Sequence, residues 1–277
     1  MAITINTNAT ALRTLGNLNS ATRGLQGSMN RLSSGLRITK AADDAAGLAS
    51  AEVLDAHEMS TRQAMRNSND GISMIQTAES STSEVANIVK RMRELAVQAA
   101  SETLASTERA YVQEEFAGLQ AEVDRIAVNT EFNGIALGDG SNTQLNVQVG
   151  INNSAAGHDQ MAITFGDLRA TVLGIDTGSV SLSSAANAFD AIDEMDAALD
   201  DLNGYRGSLG ASQNRLDINI SALETSAENM AAGQSQIRDV DFAHETAEMA
   251  KMQIMQQANL SLMAQANQMG GSALALL

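Results

Sequence analysis

The sequence predicts a mainly α fold: a long antiparallel helical bundle or coiled coil, made of discontinuous N- and C-terminal segments, with a small central β-hairpin region. Three observations carry that prediction. Apolar residues recur at alternating three- and four-residue steps over long stretches on both sides of the chain. Proline, which breaks helix interiors, is absent from all 277 residues. Strand-like alternation is confined to the middle.

The first helical stripe runs Leu15, Leu18, Thr22, Leu25, Met29, Leu32 and Leu36. The second runs Ile75, Ala78, Thr82, Val85, Val89, Met92, Ala96 and Ala99. A shorter helix is expected from Ser106 to Val128, with Tyr111, Phe116, Leu119, Val123 and Ile126 as its buried stripe. Beyond it, Leu145, Val147, Val149 and Ile151 alternate with polar residues, as do Met161, Ile163 and Phe165, so roughly 133–183 reads as β hairpins flanked by Gly- and Asn-rich turns. The third stripe is the longest: Ile192, Met195, Leu199, Leu202, Arg206, Leu209, Gln213, Leu216, Ile220, Leu223, Ala227 and Met230. From about Val240 onward, Ala247, Met249, Met252, Ile254, Met255, Leu260, Leu262 and Met263 fall on several faces. A helix that is apolar on most sides is one surrounded by other helices.

The stretch "RLSSGLRITK AADDAAGLAS" (31–50) interrupts the first leucine pattern and restarts it with small residues. It predicts a joint: Gly35, Arg37 and the β-branched pair Ile38–Thr39 leave the helix, and Asp43 and Asp44 begin the next one, where the helix dipole favours anions.

Composition narrows the function. The chain has no Cys and no Trp, two Tyr and five Phe, so long helices packing small residues must replace an aromatic core. Without Cys, stability does not depend on the redox compartment. A net charge of −16 argues against a nucleic-acid partner. The charge is uneven: residues 1–40 hold Arg13, Arg23, Arg31, Arg37 and Lys40 and no acid, and no charged side chain follows Lys251. The polar start "MAITINTNAT" lacks the apolar stretch of a cleavable signal peptide. The tail carries Gln253, Gln256, Gln257, Asn259, Gln265, Asn267 and Gln268, too many amides for insertion in a membrane.

Catalytic patterns do not emerge. His57, His158 and His244 are far apart, and "HETAE" (244–248) has no second His to complete a metal frame. "GDGSN" (138–142) lacks the third glycine of a dinucleotide loop, and "RGSLG" around Ser208 lacks the first glycine of a nucleophile elbow. The expectation is no catalytic, metal or cofactor site.

Short connections between long helices favour antiparallel packing, so the two ends of the chain are expected side by side. One such pair buries little. The terminal stripes therefore need partners, and copies of the same chain supply them. Leu15, Leu18, Leu25, Met29, Leu32 and Leu36, with Met252, Ile254, Met255, Leu260, Leu262 and Met263, are the residues expected to carry polymerisation.

At this point the residues resemble a known family, bacterial flagellin. The N-terminal side shows "INTNATAL", "RLSSGLRI", "ADDAAGLA", "NDGISMIQTAE", "RMRELAVQAA" and "DRIAVNTEFNG"; the C-terminal side shows "GYRGSLGASQNRLD", "AENMAAGQSQIRDVDFAHETAEMAK" and "LMAQAN". The short centre makes it similar to a minimal flagellin of core domains alone. The resemblance implies that residues 1–42 and 236–277 pair as the inner domain lining the filament core. Residues 43–235 would then form an outer rod-like domain carrying the hairpins. It implies a structural subunit, secreted and extracellular, that polymerises into the helical flagellar filament for swimming. The alternative is a flagellin-like hook–filament junction protein. Type III export of unfolded chains, an export chaperone, and hook-junction and cap proteins are implied as partners. The match of "RMRELAVQ" further implies recognition by Toll-like receptor 5 through Arg91, Leu95 and Glu115.

Overall fold

The computed structural model describes residues 7–153 and 158–274, with side chains up to Gln268. Helices α1 (Ala9–Ser34), α2 (Ala45–Ala99) and α3 (Ser106–Asn129) precede strands β1 (Glu131–Phe132), β2 (Ile135–Ala136), β3 (Gln144–Gln148) and β4 (Gln160–Thr164), and α4 (Ala185–Arg238) and α5 (Phe242–Leu274) follow. The chain forms two compact units. The terminal unit comprises Met1–Glu58 with Glu228–Leu277, and the central unit Met59–Ala227.

Local chemistry sets the helix ends. Asn8 Oδ1 accepts the Ala11 N–H at 3.0 Å and starts α1. Gly35 ends it with φ 72°, a left-handed conformation that costs glycine little, and donates its N–H to Arg31 O at 2.8 Å. The two acids expected to open α2 divide the work. Asp44 Oδ1 caps α2 by accepting the Gly47 N–H at 2.8 Å. Asp43 instead faces backwards and closes the preceding turn, accepting the Thr39 and Lys40 N–H groups, each at 3.1 Å. These N–H groups, with the Thr39 hydroxyl, hold the Asp43 carboxyl below its usual range. Its proximity to the helix start in sequence had suggested a cap, but one side-chain oxygen suffices for that position.

In the central unit, all eight predicted stripe positions of α2, Ile75 to Ala99, are buried. Val85, Val89, Met92, Ala96 and Ala99 meet Ala188, Ala191, Met195, Ala198 and Leu202 of α4 and Phe116, Val123 and Ala127 of α3 in one cluster. The buried stripe of α3 differs from the expected one. Val112, Phe116, Gln120, Val123 and Ala127 face inward, while Leu119 and Ile126 sit at its margin and Tyr111 is exposed. Val112, one position on, takes the inward place, which leaves the Tyr111 hydroxyl in water. Gln120 enters the stripe because its Nε2 donates to Ile175 O at 2.7 Å and so tethers the following loop.

The hairpin β3–β4 keeps the expected alternation, with Leu145 opposite Ile163 and Val147 opposite Met161. Met161, Ile163 and Phe165 pack on Ile75, Ala78, Leu209 and Leu216. The strands end earlier than the predicted 183. Residues 166–184 contain no strand, yet Leu168, Ala170, Leu173, Ile175, Val180 and Leu182 are buried there. The buried residues fall in pairs two apart, a strand-like spacing in a segment that forms no strand, and that spacing misleads a sequence reading here.

One ion pair organises that loop. The Arg169 guanidinium grips Asp167 through Nε (3.0 Å) and Nη2, and the Arg169 N–H adds a third bond at 3.0 Å. Gly140 lies against the same carboxylate at φ 72°, where any Cβ would collide with it. The hydrogen bond from Arg169 holds the Asp167 carboxyl below the ordinary value of 3.8. Because folding depresses this pKa, the stabilisation is complete above 3.8 and is lost as pH falls through the depressed value. Thermal melting across acid pH should therefore fall more steeply in the native chain than in Asp167→Asn, with the two curves running parallel near neutrality.

Candidate self-assembly surface

In the terminal unit α1 and α5 run antiparallel. Asn8 Nδ2 donates to Ala266 O at 2.9 Å, Gln256 Nε2 approaches Thr22 Oγ1 at 3.4 Å, and Arg31 pairs with Glu245 at 3.4 Å. Their shared seam follows a seven-residue spacing. On α1 Thr14, Ala21 and Ser28 are buried, each followed by a half-buried leucine, Leu18, Leu25 and Leu32. On α5 the corresponding series is Glu245, Met252, Asn259 and Ala266, interleaved with Met249, Gln256 and Met263. The pair is close: a Cβ on Gly24 would stand 3.1 Å from Met252 Sδ.

The most buried positions of this seam are small or polar, its leucines and methionines are only half-buried, and further large apolar side chains lie outside it. Of the twelve residues named for polymerisation, Leu18, Leu25, Leu32, Leu36, Met252 and Met263 are half-buried within the chain. The other six, Leu15, Met29, Ile254, Met255, Leu260 and Leu262, are exposed, from 41% for Met255 to 67% for Ile254. Complete burial of such a side chain is worth about 1.5–3 kcal/mol, so six of them form a large unspent driving force for association. The buried polar members Thr14, Ser28, Glu245 and Asn259 escape an apolar count. Their seven-residue spacing was the available signal.

The joint brings both chain breaks to one level. The Arg37 N–H donates to Arg238 O (2.7 Å), the Val240 N–H to Gly35 O (3.0 Å), and Arg37 Nη2 to Ile237 O (2.6 Å). Leu36 and Asp239 thereby form an isolated antiparallel bridge. Gly35 and Arg37 thus bond the link after α1 to the end of α4 and the link after it, while Asp43 and Asp44 shape the entry to α2.

In the central unit Arg91 and Glu115 are exposed and paired at 2.8 Å, and Arg91 also reaches Glu94 at 2.9 Å. Hydrogen bonds donated to Glu115 and then to Glu94 raise the Arg91 pKa. Leu95 is not beside them on the surface: it is 1% exposed, within the α2–α3–α4 cluster. The α2 periodicity allowed either position, because Leu95 lies one turn from Arg91 but also one residue from the predicted stripe member Ala96.

Among the described residues no group of three or more His, Cys, Asp or Glu could hold a metal ion, and no helix is long and apolar enough to cross a membrane. A groove of about 360 Å³ is lined by Ser60, Gln63, Asn67, Gln148 and neighbouring neutral residues, with no titratable side chain in its lining. Ser208, exposed on α4, donates to Tyr205 O at 2.8 Å.

Comparison with known proteins agrees with this geometry. Residues 5–143 match the bacterial flagellin N-terminal helical region, and residues 192–277 match the bacterial flagellin C-terminal helical region. A flagellin of Halalkalibacterium halodurans is 41% identical over 273 residues, covering 99% of each chain. The crystal structure of Bacillus cereus flagellin, 32% identical, superposes with a TM-score of 0.50 over 61% of this chain and 94% of that one. A putative flagellar hook-associated protein from Vibrio parahaemolyticus, 14% identical with a TM-score of 0.60 over 71% of this chain and 100% of its own, shares the fold alone. Both helical regions flanking the short centre are matched, and a relative of nearly equal length aligns end to end: the chain belongs to the bacterial flagellin family, as a minimal member with a compact core.

Proposed function

We infer that this chain is the structural subunit of a flagellar filament, polymerising through its terminal helices to serve swimming motility. The observation that carries the reading is that α1 and α5, after forming their shared seam, leave Leu15, Met29, Ile254, Met255, Leu260 and Leu262 exposed outside it. Copies of the chain fill that surface through heterologous contacts that do not close, which yields a helix of indefinite length. Residues 1–42 with 236–277 act as the filament-core domain and 43–235 as the outer domain, a division supported by the helix breaks at 35–44 and 239–241. The subunit is extracellular, works without catalysis, and leaves the cell unfolded through type III export. An export chaperone covers its apolar C-terminal helix, and hook-junction and cap proteins bound the polymer. Recognition by Toll-like receptor 5 is proposed at the exposed Arg91–Glu115 pair, with Leu95 supporting α2 from within the core.

Electron microscopy of purified subunits, with and without filament seeds, tests the reading. Intact chain should give filaments, and chain cut before residue 242 should give none. Intact chain that stays monomeric with seeds present would remove the filament reading.

A further inference from the structure

Asn–Gly pairs occur at 133–134 and 203–204, and the fold treats them oppositely. Asn203 and Gly204 lie inside α4, where the helical ladder holds the main chain. Asn133 and Gly134 form the two-residue link between β1 and β2, with φ of 50° and 78°. Positive φ at both positions is the signature of a type I′ turn. Both residues are exposed, and among the described residues no hydrogen bond engages the Asn133 side chain or the Gly134 N–H. A Cβ built on Gly134 meets nothing within 4 Å, so the space beside its nitrogen is open. Strands of two residues hold such a turn weakly.

We propose that Asn133 is a site of spontaneous deamidation in the folded chain. The Gly134 backbone nitrogen attacks Asn133 Cγ, and the new C–N bond closes a five-membered succinimide. The side-chain nitrogen leaves as ammonia, taking the proton released by the Gly134 nitrogen. Water then adds to either imide carbonyl and opens the ring, which leaves aspartate or isoaspartate at 133. Water is the only co-reactant.

Gly134 makes the attack accessible because no side chain shields its nitrogen. At Gly204 the same nitrogen is held in the ladder, and releasing it requires local opening of α4. The two sites therefore differ in the state of the nucleophile and share the local dipeptide. Either product places a carboxylate two residues from exposed Glu131, and isoaspartate adds a methylene to a turn that spans only two residues. Phe132 and Ile135, which flank the turn, pack at the edge of the cluster containing Leu137 and Phe165, so the disturbance reaches that corner of the core.

The full-length folded chain, held in mildly alkaline buffer and mapped by peptide mass spectrometry, provides the test. A protein isoaspartyl methyltransferase serves as the probe for isoaspartate. Asn133 should convert at least about tenfold faster than Asn203, the ratio set by about 1.4 kcal/mol of protection. In denaturant the two rates should converge. Asn133→Gln, whose ring closure is disfavoured by the extra methylene, should show no conversion at 133, with a slightly lower melting temperature because glutamine suits φ 50° less well than asparagine. Equal folded-state rates at 133 and 203, or an intact Asn133 while other asparagines convert, would overturn the proposal.

Discussion

Ile254→Asp combined with Leu262→Asp should abolish filament growth while leaving thermal unfolding of the free subunit unchanged. Both side chains are exposed in the single chain, at 67% and 53%, and neither belongs to the seam with α1. Replacing them takes nothing from the seam, so the subunit has little to lose. In the proposed assembly the same positions become helix–helix contacts, and no charged residue follows Lys251 to pair with a new carboxylate. Burying an unpaired ion costs several kcal/mol. At ~3 kcal/mol for each charge, the critical concentration for assembly rises by about four orders of magnitude. Sedimentation of seeded subunits across a concentration series reads that shift directly. Filaments forming at the native concentration would show that this face of α5 is not an assembly contact.

The asymmetry behind that prediction was only half legible in the sequence. In α2 and α4 large apolar residues repeat along one stripe, and a count of them finds the buried face. Every chosen position from Ile75 to Ala99 lies inside, as do Met195, Leu202, Leu209 and Leu216. In α1 the same count finds Leu15 and Met29, which are exposed, because the side facing α5 is marked by Thr14, Ala21 and Ser28. Hydrophobic periodicity reports where apolar groups lie, not which partner covers them. In α1 those are different questions. The α3 stripe failed differently: Tyr111 looks apolar by type, but the adjacent Val112 fills the inward place without a hydroxyl to satisfy. Gly35 was readable as a helix stop from its own chemistry. The bond from Arg37 to Ile237 O was not, since it joins residues 200 apart and depends on the whole antiparallel arrangement. Leu95 shows the remaining ambiguity, in that a residue between two plausible faces is assigned by packing that no local pattern encodes.

Phe116→Ala should destabilise the central unit by about 3–5 kcal/mol, the range for removing a fully buried phenylalanine. Phe116 is completely inaccessible and sits in the cluster that joins α2, α3, α4 and the 168–182 loop. Met92 and Met195 share that cluster. Unbranched methionines can shift into a vacated space, which favours the lower end of the range. Tyr111→Ala, on the same helix but exposed, should change stability by less than about 0.5 kcal/mol. Urea titrations followed by circular dichroism distinguish the two, the midpoint moving strongly in the first variant and hardly in the second. A similar loss in both would mean that α3 is held by its surface and not by its buried stripe. With domain stabilities near 5–15 kcal/mol, the loss expected at Phe116 is a large fraction of the total. That follows from the composition: the chain has five phenylalanines, two tyrosines and no tryptophan. Most of its core is Ala, Val, Leu and Met packed along helices, where a methyl group lost is locally tolerable. Phe116 is the largest fully buried side chain of its cluster, a bulky group on which three helices converge, and the methionines beside it refill the space only in part.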